Sequence, residues 1–262
     1  MRKINFIKIF TVMVIAYFTV LALQAQNFPE GYEKALNYFQ KKEFENSLEV
    51  IREFFNPQTR SYEFRMLAAS NYSNQGNYDQ ALKHLISCRN EHPGRVEPIL
   101  LTAVVLRKSG NLYGSAREVI QGLQRFPGHL QLRIEMARIY FLLGKLPESK
   151  AQIDVVLNQE PNHLHALYLD GLIFIKKGLF EEAEFRLQNV LGMKKVSVSL
   201  LPALHNNLGL AIESIALSQK NQNPEIAKKR FQEALDHYNK ALSYNSDSPL
   251  YKKNKERVSL QL

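Results

Sequence analysis

The sequence predicts an all-α fold, a solenoid of stacked antiparallel helix pairs, from three periodic features. Glycine recurs every 34 residues, small residues recur at two fixed distances from it, and proline recurs near the end of each interval. A fixed period of this length is typical of repeated helical hairpins. The recurring glycines are Gly76, Gly110, Gly144 and Gly178.

Residues 28–197 divide into five repeats when the glycine is set at position 15 of each. The repeats are 28–61, 62–95, 96–129, 130–163 and 164–197. Position 8 is occupied by Ala35, Ala69, Ala103, Ala137 and Gly171. Position 20 is occupied by Ser47, Ala81, Ser115, Ser149 and Ala183. These side chains are too small to keep two helix backbones apart, so both positions indicate close helix packing.

Large residues alternate with the small ones. Aromatic or aliphatic side chains stand at positions 11, 17 and 24 of every repeat, for example Tyr72, Tyr78 and Leu85. This spacing places each set on the inward face of a helix. A single hairpin cannot bury that face, so neighbouring repeats are expected to stack around one continuous core.

Most repeats also carry signals that end their helices. Glycine at position 15 lets the chain enter the left-handed region and stop the first helix. Lys42 replaces it in the first repeat, which weakens that stop. Pro93, Pro127 and Pro161 stand at position 32, where they cannot extend the second helix.

This pattern resembles the tetratricopeptide repeat, whose signature has small residues at positions 8 and 20, aromatic residues near 11, 17 and 24, and proline at 32. The resemblance implies a right-handed superhelical α-solenoid. Some residues depart from it. Arg65 and Arg133 stand at position 4, where tryptophan is common, and Lys34 and Asp170 stand at position 7, usually leucine.

Residues 198–248 form a sixth, irregular repeat in this interpretation. Gly209 matches position 8 and Ala234 matches position 20, but 13 extra residues lie between them. The polar stretch 218–224 is therefore predicted as the tip of an extended hairpin. Residues 249–262 are predicted as a C-terminal capping helix that starts after Ser248. The basic cluster at Lys252, Lys253, Lys255 and Arg257 would form the polar outer face of that helix.

The N-terminus has the organisation of a secretory signal peptide. Three basic residues precede an uncharged run from Ile9 to Leu23, and Ala25 provides a small residue for cleavage. Residues 1–25 are predicted to be removed, so the protein would be exported, most simply to a periplasm. The alternative is that Ile4–Leu23 stays as an inner-membrane anchor, because this stretch nearly reaches the length of a membrane span.

Composition restricts the classes of partner. The formal net charge of +9 is spread along the chain. For an exported protein, lipid head groups or acidic protein faces are better anionic partners than nucleic acid. Cys88 is the only cysteine in the sequence, so no intramolecular disulfide can form. It stands at position 27, where a small buried side chain is expected.

No catalytic motif is present in the sequence. HExxH, GxSxG and GxxxxGK[ST] are all absent. His163 and His165 are the nearest approach to a metal site, but two ligands are too few for a closed zinc site. The sequence therefore predicts a protein that is not an enzyme and needs neither a metal nor a cofactor.

The resemblance implies that the first helix of each repeat lines a concave groove. The resemblance implies that positions 2, 5, 9, 12 and 13 face this groove. The residues at these positions would give an apolar and aromatic surface with scattered cations, suited to an apolar peptide or helix with some negative charge. The predicted groove residues are Tyr32, Phe39, Met66, Asn74, Leu100, Val104, Arg107, Lys108, Ile134, Arg138, Phe141, Tyr168, Leu172, Ile175 and Lys176. The Lys and Asn pair with which some family members hold a C-terminal carboxylate is missing.

These observations predict an exported interaction module or assembly scaffold that binds a protein or peptide partner in its groove, for a cell-envelope complex. The alternative is a membrane-tethered structural subunit whose groove is filled by a second copy, so self-association is the rival to a foreign partner.

Overall fold

The computed structural model describes residues 30–55, 62–194 and 196–262, and the predicted signal peptide or anchor at 1–25 lies outside them. Within these ranges the chain forms thirteen helices and no strand, which confirms the all-α class. None of these helices combines the length and apolar character needed to cross a bilayer. The chain divides into two compact units, one ending at Pro98 and the other beginning at Ile99.

The helices of the first unit are short and paired. They are α1 (Tyr32–Gln40), α2 (Phe44–Phe54), α3 (Tyr62–Asn74) and α4 (Tyr78–Glu91). Helix α1 packs against α2 and α3 packs against α4, while α2 and α1 both contact α3. The core of this unit is formed by Ala35 of α1, Leu48 and Ile51 of α2, and Phe64 and Leu67 of α3.

The second unit continues the same arrangement with longer helices at its end. Its helices are α5 (Glu97–Lys108), which begins just before the unit boundary, α6 (Leu112–Arg125), α7 (Leu130–Leu142), α8 (Leu146–Gln159), α9 (Leu164–Lys177), α10 (Phe180–Leu191), α11 (Leu201–Gln219), α12 (Pro224–Tyr244) and α13 (Pro249–Ser259). The pairs α7/α8, α9/α10 and α11/α12 are antiparallel hairpins. The first helices of neighbouring pairs also touch, α7 with α9 and α9 with α11.

The first helices end as the glycine period predicts. Gly76, Gly110, Gly144 and Gly178 have φ between 73° and 86°. Lys42 adopts the same left-handed conformation with φ of 64°, although its side chain makes this conformation costly by roughly 1–2 kcal/mol. In all five turns the N–H of position 16 donates to the carbonyl of position 11 at 2.8–3.0 Å. This bond closes a Schellman motif, and it shows that the stop survives without glycine in the first repeat.

Positions 8 and 20 bring the two helices of a pair into contact. The hydroxyls of Ser47, Ser115 and Ser149 donate to the carbonyls twelve residues earlier, at 2.7–2.8 Å. All three serines are fully buried. A Cβ added at Gly209 would lie 2.8 Å from the ring of Tyr238. The small residues are therefore required by the close approach of the backbones.

Two of the charged residues at unusual repeat positions, Asp170 and Arg65, are neutralised locally. Asp170 is completely buried at position 7, and its carboxylate lies 3.1 Å from Nε of Arg186 and 3.4 Å from Nζ of Lys150. Burial raises the pKa of this carboxyl, and the two cations oppose that shift. At position 4, Arg65 pairs with Glu91 at 3.3 Å. These departures from the repeat pattern are ion pairs inside the same packing scheme.

The last helices are held by a polar network as well as by apolar packing. Glu213 of α11 is only 2% exposed. It accepts hydrogen bonds from Nε and Nη2 of Arg257 at 2.7 and 2.6 Å, and from the hydroxyl of Tyr238 at 2.6 Å. Asn254 of α13 donates to Asn206 of α11 at 2.8 Å. Helix α13 is capped by Ser248, whose hydroxyl accepts from the N–H of Tyr251, as the sequence predicts.

Two histidines meet between α11 and α12. Nδ1 of His205 lies 3.0 Å from Nδ1 of His237, so one ring donates and the other accepts. Burial lowers the pKa of each ring to about 4. At His205 the charge of His237 and then that of Lys240 contribute to this shift, and at His237 the contributions come from Lys240 and Arg230, with Asp236 opposing them. The folded hairpin therefore holds both rings in the neutral form at neutral pH.

Replacing Gly209 with alanine should destabilise the second unit by about 2 kcal/mol, because the new methyl group overlaps the buried ring of Tyr238. The free energy of unfolding can be measured with urea and circular dichroism. Gly128→Ala is the matched control, since a Cβ there meets nothing within 4 Å, and it should change stability by less than about 0.5 kcal/mol. Equal effects at both positions would contradict the close-packing argument.

Stability should fall as pH falls from about 6.5 to about 4, because in this interval the unfolded histidines bind protons that the folded pair excludes. Urea unfolding at pH 7, 6 and 5 measures the slope. His237→Asn should reduce the slope of the free energy of unfolding against pH. The control is His129→Asn, which keeps an acceptor for the N–H of Leu132 at the start of α7, and the slope there should stay that of the wild type.

Candidate functional site

The predicted groove residues of the first unit lie on its first helices. Tyr32 packs edge-on against Phe64 with ring centroids 5.8 Å apart, and Phe39 lies against Phe44 at 5.7 Å. Met66 is half-buried, and Asn74 is exposed at the end of α3, where its amide donates to the carbonyl of Ser70. The aromatic side chains here contribute to the core of this unit.

The second unit gathers five predicted residues around one cleft with a volume of about 560 Å³. They come from three successive first helices: Arg107 from α5, Arg138 and Phe141 from α7, and Tyr168 and Leu172 from α9. We call it the Arg138 cleft. Its remaining lining residues, which were not among the predicted ones, are Leu142, His165, Leu169, Ser197, Ser199 and Leu200.

Five further predicted residues belong to the same helices but do not line the cleft. Leu100 and Val104 are half-buried on α5, and Lys108 is exposed at its end. Ile175 packs partly buried against the core formed by α9, α10 and α11. Lys176 is exposed near the end of α9.

The prediction that Ile134 lines the groove is wrong. Its side chain is 3% exposed and packs with Ile153 of α8 and Ala166 and Ile173 of α9. Position 5 of this repeat therefore faces the adjoining helices rather than solvent. A charged substitution at Ile134 would disrupt the core instead of testing a surface.

Two arginines line the cleft, and they differ in whether a carboxylate pairs with them. Nε of Arg107 lies 2.5 Å from Oε1 of Glu135, whose side chain is 4% exposed. Arg138 is half-buried, and in the described parts of the chain no carboxylate pairs with it and no hydrogen bond reaches its guanidinium. Burial lowers the pKa of Arg138, and Arg107 adds to this shift, while Glu135 and Tyr168 oppose it.

The other polar groups of the cleft are neutral. The hydroxyl of Tyr168 accepts a hydrogen bond from the amide of Asn207 at 2.9 Å, and burial raises its pKa to about 12. Burial, then the charge of Arg138, lowers the pKa of His165. The hydroxyls of Ser197 and Ser199 lie 2.8 Å apart. The cleft thus combines one uncompensated positive charge with neutral donors and acceptors.

For some of the lining residues that were not predicted, the repeat position indicated a place in the groove. Leu142 stands at position 13 and His165 at position 2, and the resemblance places both positions on the concave side. Ser197, Ser199 and Leu200 had no such signal, because they belong to the irregular join before α11. His163, the partner of His165 in the sequence motif, instead caps α9 by accepting from the N–H of Ala166. Within the described residues no group of three metal-ligating side chains is present.

Comparison with known proteins agrees with the helical repeat. A family model described as tetratricopeptide repeat matches residues 65–94. Curated protein sequences give no significant match. Among solved structures, the chain is similar to TTC0263, a thermophilic tetratricopeptide-repeat protein of Thermus thermophilus. The TM-score is 0.60 with 18% identity, covering 76% of this chain and 99% of that one.

Two further structures share the fold. A double mutant of MamA from RS-1 gives a TM-score of 0.51 with 15% identity, covering 71% of this chain and 97% of that one. A chain of the APC/C hetero-tetramer Cut9–Hcn1 gives a TM-score of 0.60 with 11% identity, covering 86% of this chain and 48% of that one. The chain therefore spans about half the length of that last structure. At these identities the likeness shows the fold, and it supports a tetratricopeptide-repeat protein.

Ile134→Ala should lower the free energy of unfolding by about 3 kcal/mol, because it leaves a cavity among buried side chains of three helices. Leu142→Ala, on the same helix with a side chain 54% exposed, should change it by less than about 0.5 kcal/mol. Urea unfolding of the two variants measures the difference. A small effect of Ile134→Ala on the free energy of unfolding would indicate that this side chain lies at the surface and not in the core.

Proposed function

We propose that this protein is an interaction scaffold that binds a peptide segment of a partner protein in the Arg138 cleft. One observation carries the proposal. Side chains from three successive first helices line a single cleft whose floor is apolar and whose lining residues include no Asp or Glu. A concave, mostly apolar site with a few placed polar groups is the usual form of a binding site.

The apolar floor of the Arg138 cleft is accessible to a partner. Phe141, Leu172 and Leu200 are half-buried, and Leu142 is 54% exposed at the rim. Covering such side chains removes apolar surface from water, which contributes about 25 cal/mol for each Å². An aromatic or aliphatic side chain of the partner would bind here, and a central anchor of this kind usually dominates the affinity.

The fold supports a role in protein assembly. Repeats of paired helices present long surfaces on which other proteins bind. One of the structures with this fold, Cut9–Hcn1, is a hetero-tetramer of the APC/C. In our proposal the partner of the present chain is a component of a cell-envelope complex, because residues 1–25 have the organisation of an export signal.

Affinity capture from envelope extract, read by mass spectrometry, tests the proposal. The Leu142→Glu variant should lose the partner that the wild type captures, because a carboxylate at the rim of the cleft cannot be covered by an apolar segment. Phe185→Glu is the matched control. Its side chain is 60% exposed on the second helix α10, so its replacement should leave capture unchanged.

The same experiment separates the proposal from its rival. If both variants capture the partner as well as the wild type does, binding does not occur in the Arg138 cleft. If the captured protein is a second copy of this chain, the tethered structural subunit is the correct interpretation. The N-terminal mass of the protein from its native host then decides whether an anchor remains.

A further inference from the structure

The guanidinium of Arg138 is a charge without a partner in a partly desolvated site. It lines the Arg138 cleft, and burial lowers its pKa. In the part of the chain that the structure describes, it makes neither an ion pair nor a hydrogen bond. A guanidinium taken out of water is stabilised when an anion or several acceptors reach it. The side chain is therefore placed to receive an acceptor from outside the chain.

The nearby carboxylate that could neutralise Arg138 is already occupied. Glu135 stands one turn earlier on α7, within reach of position 138 on the same helix face. Its oxygens instead accept from Nε and Nη2 of Arg107, at 2.5 and 3.5 Å. The charges of Arg107 and Glu135 cancel. The charge of Arg138 is not neutralised in this way, so the cleft carries a net positive charge.

The surroundings of Arg138 select the kind of anion. The cleft contains hydroxyls of Ser197 and Ser199, and Nδ1 of His165 is buried without a hydrogen-bond partner. Next to these groups lie Phe141 and Leu142. A single positive charge matches a monoanion better than a doubly charged phosphate. The planar guanidinium of arginine can also donate two parallel hydrogen bonds to the two oxygens of a carboxylate.

We propose that the Arg138 cleft recognises a carboxylate of the partner through Arg138, with the adjacent apolar side chain of the partner on Phe141 and Leu142. This inference rests on the proposed function and specifies its ligand. The carboxylate can belong to the C-terminus of the partner or to an Asp or Glu side chain, and both share the same chemistry. Arg107 is a positioning residue, because it holds Glu135 away from Arg138.

Three labelled hexapeptides of one leucine- and phenylalanine-containing sequence test the ligand, with fluorescence anisotropy as the readout on the full chain. The first has a free C-terminus, the second an amidated C-terminus, and the third an amidated C-terminus with glutamate next to the phenylalanine. At least one carboxylate peptide should bind about tenfold more tightly than the neutral one, as expected for a charge-assisted hydrogen bond. The carboxylate peptide that binds more tightly than the neutral peptide identifies the source of the carboxylate. Equal binding of all three, or no binding by any, would overturn the inference.

Variants of the protein assign the effect to Arg138. Arg138→Gln should remove the tenfold preference. Arg117→Gln, which removes the same charge from α6, outside the cleft, should keep it. Arg107→Gln should also weaken carboxylate binding, because the released Glu135 would pair with Arg138. The double variant R107Q/E135Q should restore it. Preference retained in Arg107→Gln would show that Arg107 has no positioning role.

Capture of the natural partner distinguishes this inference from the proposed function. If Leu142→Glu loses the partner and Arg138→Gln keeps it, the cleft binds a partner but not through a carboxylate. If neither variant loses it, the proposed function fails as well. If both lose it, and circular dichroism shows the helical content of the wild type, both conclusions hold.

Discussion

The close approach of paired helices at positions 8 and 20 is the constraint on which the rest of the structure depends. Where serine stands at position 20, its hydroxyl reaches the carbonyl of position 8 at 2.7–2.8 Å, a distance that a larger residue on either helix would prevent. Tight pairs fix the direction of every other side chain, since on a helix the positions three and four residues away share a face. The buried residues at position 24 and the half-buried residues at position 11 then pack within the array, and the positions on the opposite side of the first helices α5, α7 and α9 form the cleft surface.

Sequence reasoning succeeded where the structure is set by this periodicity. The left-handed residue at position 15 was predictable, and the structure even places Lys42 there, because the stacked helices impose the turn on a residue that resists it. Five residues that line the Arg138 cleft were predictable from repeat position. Ile134 was misplaced because its position faces α8 and α9, and the boundary between core and surface depends on the angle between neighbouring helices. Ser197 and Ser199 follow from the irregular join before α11, which has no counterpart in the regular repeats.

The end of the array shows what replaces periodicity when it stops. Helix α13 buries few of its own side chains. Only Asn254 and Val258 of that helix are buried. Glu213, Tyr238 and Arg257 hold the helix in place instead. Arg257 is thereby removed from the basic cluster that the sequence shows, and the outer face keeps Lys252, Lys253 and Lys255. A buried carboxylate with three donors has a defined geometry, so this network fixes the orientation of α13 as well as its position.

Glu213 and Glu135 are both neutralised by arginine, but with opposite consequences. At the end of the array Glu213 pairs with Arg257, so neither of these two charges is left unpaired. In the cleft Glu135 takes Arg107, and this pairing leaves Arg138 unsatisfied one helical turn away. If Glu135 paired with Arg138 instead of Arg107, the total charge of the cleft would be the same. The unpaired guanidinium would then belong to α5 rather than α7. The site of anion recognition is therefore decided by which arginine lies within 2.5 Å of Glu135. The spacing of helices α5 and α7 sets that choice, and the close packing at positions 8 and 20 is part of what sets the spacing.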